Sequence, residues 1–108
     1  MHDTTAQNTL DLLILRTLER GPNHGFGITD HIQNVSLRIL RIEEGSLYPA
    51  LHRLERSRLI AGEWARTKAG RRARYYRLTP EGRARLSRNR EQWNTLTQAV
   101  KRVLECAP

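Results

Sequence analysis

The sequence predicts an α+β fold, mainly α with a small β-hairpin, and three observations carry that prediction. Apolar residues recur at helical spacing in the segments around residues 10–18, 28–35 and 47–54. Two short β-prone runs flank a polar, glycine-containing tip at residues 66–73. No helix breaker interrupts the C-terminal run from Gly82 to Ala107. A length of 108 residues, 38% of them apolar, suits one domain with a small core.

Taken in chain order, Leu10, Leu12, Leu13, Ile14, Leu15 and Leu18 give a nearly all-round apolar helix over about residues 8–20. It is expected to start near Asn8 or Thr9 and to stop at Gly21-Pro22. The turn-rich stretch Asn23-His24-Gly25-Phe26-Gly27 leads into a second helix of about 26–35, with Ile28, Ile32 and Val35 on its inward face. Leu37, Ile39, Leu40 and Ile42 then read as an extended connector or a very short strand. In the third helix Leu47, Leu51 and Leu54 form the inward stripe, leaving Tyr48, Pro49, His52, Arg53 and Arg56 on the opposite face. Pro49 is accommodated if that helix begins at Ser46; a start at Glu43 costs one intrahelical bond at the proline.

Leu59 to Ala65 and Arg74 to Thr79 read as two short strands joined by the basic tip. Tyr76 and Leu78 are expected inside, Tyr75 and Arg77 on the other face, and Trp64 in support under the tip. Thr79-Pro80-Glu81 is a helix start, with Thr79 as N-cap. Along the helix that follows, Leu86, Asn89, Trp93, Leu96, Val100 and Val103 fall on one seam. Residues 81–105 span about 37 Å as a helix, against a radius of gyration of about 13 Å for a compact domain of this size. The distal seam therefore needs another surface, and a second copy is the simplest one. The chain divides into residues 1–79 and a C-terminal dimerisation helix, residues 80–108, as one compact unit. Residues 1–9 are too polar to be placed.

The charge is concentrated. Of 19 basic residues, ten lie within residues 66–90, where the only acid is Glu81. A solvated helix face normally mixes signs, so this clustering fits a polyanionic partner. No apolar run approaches a membrane span, and the N-terminus has no basic-then-apolar signal pattern, so a cytoplasmic location and no membrane partner are expected. The single Cys106 can form no internal disulfide, and His24, His31 and His52 lack ligand spacing; no metal and no cofactor is expected. No phosphate-cradling glycine loop, activated nucleophile or paired carboxylates mark an enzyme.

The order helix, helix, polar-faced helix, basic hairpin, long helix is the layout of a winged helix-turn-helix with a long C-terminal dimerisation helix. In such a fold the third helix enters the DNA major groove and the hairpin, or wing, follows the flanking backbone. A winged-helix module that docks protein or RNA through its basic surface is the alternative.

Four motifs carry a family resemblance from Leu10 to Leu104: Leu10-Asp11-Leu12-Leu13-Ile14-Leu15; Gly21-Pro22-x-His24-Gly25; Glu44-Gly45-Ser46-Leu47-Tyr48-Pro49-Ala50-Leu51-x-x-Leu54-Glu55; and Arg71-Arg72-x-Arg74-Tyr75-Tyr76-x-Leu78-Thr79-x-x-Gly82. In this order they resemble the PadR-like transcriptional regulators in their short form, with a single C-terminal helix. The resemblance implies a homodimeric repressor of double-stranded DNA, acting on an inverted-repeat operator, with the C-terminal helices in the dimer interface. It implies a recognition face of Ser46, Tyr48, Pro49, His52 and Arg53, to which the polar face adds Arg56, and wing contacts from Arg71, Arg72 and Arg74. The wing is one residue longer than the family's commonest form, which leaves open which arginine points at DNA. Trp93 lies eleven residues after Gly82, where multidrug-sensing relatives carry a tryptophan that sandwiches flat aromatic ligands. A small aromatic effector held by Trp93 is thus one implication, and plain packing at the seam the other.

Overall fold

The computed structural model describes the backbone of residues 4–108, with side chains from Asn8 onward; residues 1–3, part of the unplaced N-terminal segment, lie outside the described residues. The elements are α1 (Thr4–Glu19), β1 (Asn23–His24), α2 (Gly25–Val35), α3 (Glu44–Arg56), β2 (Ile60–Arg66), β3 (Arg72–Leu78) and α4 (Pro80–Glu105). The three strands form an antiparallel sheet in the order β1-β3-β2.

Helix α1 starts four residues earlier than its apolar pattern signals and ends where Gly21 adopts φ +149°, a conformation costly to any residue with a Cβ. Its inward face, Ile14, Leu15 and Leu18, packs against Ile28 and Ile32 of α2, the stripe Leu47, Ala50, Leu51 and Leu54 of α3, and Ile60 and Tyr76 of the sheet. Val35 was expected in this core and is instead 64% exposed, because α2 runs out there and the chain turns away.

The turn closes without glycine. Leu37 and Arg38 both take positive φ, 55° and 64°, and the Arg38 N–H donates to the Gln33 carbonyl at 2.7 Å. This is a left-handed helix termination built from side-chain-bearing residues, and it replaces the expected extended connector: residues 36–43 contain no strand. Helix α3 begins at Glu44 with Glu43 as its N-cap, one residue after the earlier of the two starts considered. Pro49 therefore lies inside it and withholds the N–H that would reach the Gly45 carbonyl.

Strand β2 keeps the expected length but is shifted one residue toward the tip, and β3 starts two residues earlier than expected, so that the pairing runs from Ile60↔Leu78 out to Arg66↔Arg72. Only residues 67–71 form the tip, where Gly70 supplies φ +82°. The strand β1 had no signal, since two residues show no periodicity; it pairs Asn23 with Tyr76 and His24 with Tyr75. Thr79 caps α4 as expected, accepting from the Gly82 N–H at 3.0 Å while its hydroxyl donates to the Leu59 carbonyl. Farther along, Glu19 of α1 receives Arg83 and Arg90 and holds the first turns of α4 against α1.

Of the expected α4 seam, Leu86 is only 2% exposed and belongs to the chain's own core, so it has no surface to offer a second chain. Asn89, Gln92, Trp93 and Leu96 still face α1, and beyond them the helix projects from the body. The radius of gyration is accordingly 15.5 Å, and the molecule measures 58 × 29 × 28 Å.

Candidate nucleic-acid interface

With Leu47, Ala50, Leu51 and Leu54 buried, the opposite face of α3 presents Ser46, Tyr48, Pro49, His52 and Arg56 to solvent. Tyr48 leans over the start of α2, where a Cβ on Gly25 would stand 3.1 Å from its hydroxyl; the bare glycine leaves room for the ring. The start of α2 is itself fixed by His24, whose Nδ1 accepts the Gly27 N–H at 3.1 Å and whose ring meets Tyr75 edge-on.

Arg53, read from the sequence as part of the recognition face, is half-buried and donates through Nη2 to Asp11 Oδ1 of α1 at 2.5 Å. Burial pushes the Asp11 carboxyl above its ordinary range, although Arg53 and Arg85 both favour its charged form. Acid therefore relieves this site: as pH falls from neutral, folded Asp11 takes up its proton before the unfolded chain does, and stability from this group rises. We expect Arg53→Ala to lower the melting temperature by leaving a desolvated carboxylate unpaired. Adding Asp11→Asn should restore the melting temperature. Base preference, measured against a panel of mutated duplexes, should stay relaxed in the double variant; its recovery would show that Arg53 acts only through the fold.

The wing arginines separate into two kinds. At the tip, Arg66, Lys68, Arg71 and Arg72 are exposed, and Arg66 closes the turn by donating to the Gly70 carbonyl at 3.0 Å. Arg74, read from the sequence as a wing contact, turns inward. Its Nη2 donates to Glu55 Oε2 of α3 at 2.5 Å, and its guanidinium lies over Tyr76 and Trp64. The Glu55 hydrogen bond holds the Arg74 guanidinium further toward its charged form. Tyr76 is buried and Tyr75 half-buried, and burial, with the Glu55 charge beside it, raises the Tyr76 phenol.

Trp64 is not tucked beneath the hairpin as expected: it is 57% exposed and carries the Arg72 guanidinium over its ring at 4.9 Å. Together with Tyr48 and His52 of α3 it lines a groove between α3 and the wing, bordered by Arg71 and Arg72. The sequence reading missed Phe26, 76% exposed at the groove's other wall; its position directly after the His24-Gly25 turn was the available signal. A groove with aromatic faces and a cationic border suits a sugar–phosphate backbone.

A second concavity, of about 110 Å³, lies where Trp93, Leu96, Asn89 and Gln92 of α4 face Asn8, Thr9 and Leu12 of α1. Beyond it, Val100 and Val103 are exposed on the projecting part of α4. Among the described residues no group of His, Cys, Asp or Glu could hold a metal, and no helix is long and apolar enough to cross a membrane.

The family described as "Transcriptional regulator PadR-like family" matches residues 14–88 of this chain. The transcriptional regulator Rv3488 of Mycobacterium tuberculosis is 42% identical over 77 residues, covering 71% of this chain and 68% of that protein. Among solved structures, a PadR family transcriptional regulator from Eggerthella lenta is 32% identical, with a TM-score of 0.80 over 96% of this chain and 88% of that one. A transcriptional regulator from Clostridium thermocellum is 26% identical, with a TM-score of 0.82 over 94% and 96% of the two chains.

Proposed function

The chain belongs to the PadR-like family of transcriptional regulators, DNA-binding proteins rather than enzymes, and from that premise we propose that it is a homodimeric repressor of an inverted-repeat operator. The observation that carries this reading is the groove between α3 and the wing, where the exposed polar face of α3 and the cations of the wing tip lie side by side. Ser46, Tyr48, Pro49, His52 and Arg56 supply the base-reading face, with Arg53 at its inner edge beside Asp11. Arg71 and Arg72 supply phosphate contacts, whose counterion release makes affinity fall with salt.

The dimer forms through Trp93, Leu96, Val100 and Val103 of α4, with Asn89 at the inner end of the seam. These apolar side chains stand exposed on a helix that has outrun its own domain. A small aromatic effector stacks on Trp93. The concavity of about 110 Å³ there is smaller than the roughly 300 Å³ of an ordinary ligand site, so a second copy has to supply the remaining wall. Because α1 lines that concavity and also carries Asp11, the partner of Arg53, an occupied site can alter the separation of the two reading heads.

Gel-shift titration against the DNA upstream of the protein's own gene tests the reading, with random duplex and a matched RNA as competitors. A discrete complex centred on an inverted repeat and surviving random duplex is expected. Equal binding to every nucleic acid, lost at modest salt, would refute it in favour of a non-specific basic surface.

A further inference from the structure

Arg74 has contacts that turn it away from solvent, and Trp64, exposed beside it, is well placed to hold another residue that touches DNA. On one face of the hairpin, Gly62 and Trp64 of β2 lie beside Tyr76, Arg74 and Arg72 of β3, with Trp64 directly opposite Arg74. Arg74 runs inward across this face to Glu55 of α3. It crosses where β2 has no side chain: a Cβ on Gly62 would stand 2.8 Å from Arg74 Nε. Tyr76 and Trp64 bracket its guanidinium at 5.9 and 5.8 Å. The Arg74–Glu55 pair therefore ties the wing to the helix beside it, and its two charges cancel.

Arg72, one step farther out on the same face, has no acid within ion-pair distance among the described residues. Its charge is uncompensated, and its guanidinium lies over the Trp64 ring, 4.9 Å from the ring centre. A free arginine side chain loses rotamer freedom when it binds a phosphate. Stacking on a flat indole removes part of that freedom beforehand and leaves the guanidinium edges free to donate.

We infer that Trp64, Arg74 and Glu55 are positioning residues that fix Arg72 relative to α3, and that Arg72, not Arg74, is the phosphate-binding arginine of this face. The inference rests on the DNA-binding reading above. It goes beyond that reading by assigning opposite roles to two arginines that their motif presents as equivalent, and by giving the exposed Trp64 a function. Joined by the Arg74–Glu55 ion pair and by the stacking of both arginines on Trp64, the four side chains make a bracket whose root is in α3 and whose tip is a cation.

The salt dependence of duplex binding separates the two roles, because each phosphate contact contributes about 0.9 to the slope of log affinity against log salt. Arg72→Ala should flatten the slope by about that amount. The paired variant Glu55→Gln with Arg74→Met, which removes both charges and keeps the net charge, should weaken binding about fivefold with the slope unchanged. A slope flattened by about one unit in that pair would make Arg74 a phosphate contact and overturn the inference.

Trp64→Ala should cost about two- to fivefold in affinity, the size of one exposed cation–π contact. It should cost nothing further when Arg72 is already alanine, and Trp64→Phe should recover part of the loss. Additive losses would mean that Trp64 acts independently of Arg72, which also overturns the inference. Random duplex serves for every slope, so the test does not require an operator.

NMR of the arginine side chains reads the bracket without DNA. Guanidinium protons of Arg74 should exchange slowly and become fast in Glu55→Gln, whereas those of Arg72 are fast in both; fast Arg74 exchange in the unaltered protein would show that the bracket does not form. If the wild-type chain binds no duplex while Arg74 remains protected, the DNA-binding reading fails, and with it the phosphate role of Arg72.

Discussion

Val100→Glu should turn the proposed dimer into a monomer that no longer holds its operator. Val100 is 47% exposed and stands on the part of α4 that projects from the body, with Leu96 and Leu104 beside it on the same apolar surface. In a two-fold interface each substitution appears twice, so the variant brings two carboxylates into the apolar seam, with only Lys101 at its border to offset each. Breaking the compensation of a buried charge costs about 3–5 kcal/mol. At 1.4 kcal/mol per factor of ten, a single such charge weakens the dimer by at least about a hundredfold.

The fold should survive, because within the chain Val100 contributes nothing to the core, which takes only Leu86 from α4. Light scattering after size exclusion should show the monomer mass while circular dichroism keeps its helical signal. Gel shifts at the same protein concentration should lose the discrete complex, since a lone reading head contacts one half-site. A variant that stays dimeric at micromolar concentration would place the interface elsewhere. Leu86→Glu, which the seam pattern also suggests, is not a test of association: it puts the charge into the chain's own core.

That contrast between Leu86 and Val100 shows where the sequence was legible. A heptad-like seam records which side of α4 is apolar, and it assigned Leu86, Trp93, Leu96 and Val100 to one stripe. It does not record where the body ends, so the inner part of the stripe packs on this chain and the outer part is left exposed. The α3 stripe was read correctly because amphipathic spacing and burial coincide along a helix covered on one side. Thr79 and Pro80 were legible because helix capping is local chemistry.

The roles of Arg53 and Arg74 depended on partners that spacing cannot show, since Asp11 lies 42 residues from Arg53 and Glu55 lies 19 from Arg74. Both arginines sit within motifs that fit DNA contact equally well, and only the folded chain reveals the acids that hold them. The same limit hid β1, a two-residue strand whose place is set by the open edge of β3, and the exposure of Val35, which follows from where α2 stops.

Gly82→Ala should destabilise the chain although alanine is the better helix former. In an open helical position the exchange gains up to about 1 kcal/mol. Gly82, however, sits in the first turn of α4 pressed against the end of the α3–β2 connection. A Cβ there would stand 1.9 Å from the Leu59 carbonyl oxygen and 2.8 Å from Leu78 Cδ1. The Leu59 carbonyl cannot yield alone, because it also accepts the Thr79 N–H at 3.2 Å, and the Thr79 hydroxyl is shared between the Arg58 and Leu59 carbonyls at 2.8 and 3.0 Å. Making room means shifting the start of α4 and losing its cap. Forcing atoms into such a site costs about 1–3 kcal/mol or more, and loss of the cap adds about 1 kcal/mol. At roughly 4–8 °C per kcal/mol for a domain of this size, the melting temperature should fall by more than about 10 °C.

Gly45→Ala provides the control at the same protein concentration: nothing lies within 4 Å of its Cβ, and φ there is not positive, so it should melt no lower than the wild type. Equal melting of Gly82→Ala and wild type would show that the α4 start has slack. The consequence reaches past stability. Gly82 marks a close approach between the helix proposed to join two copies and the backbone that leads into the wing. In the proposed dimer the depth of that contact would set the angle at which α4 leaves the domain, and with it the distance between two reading heads.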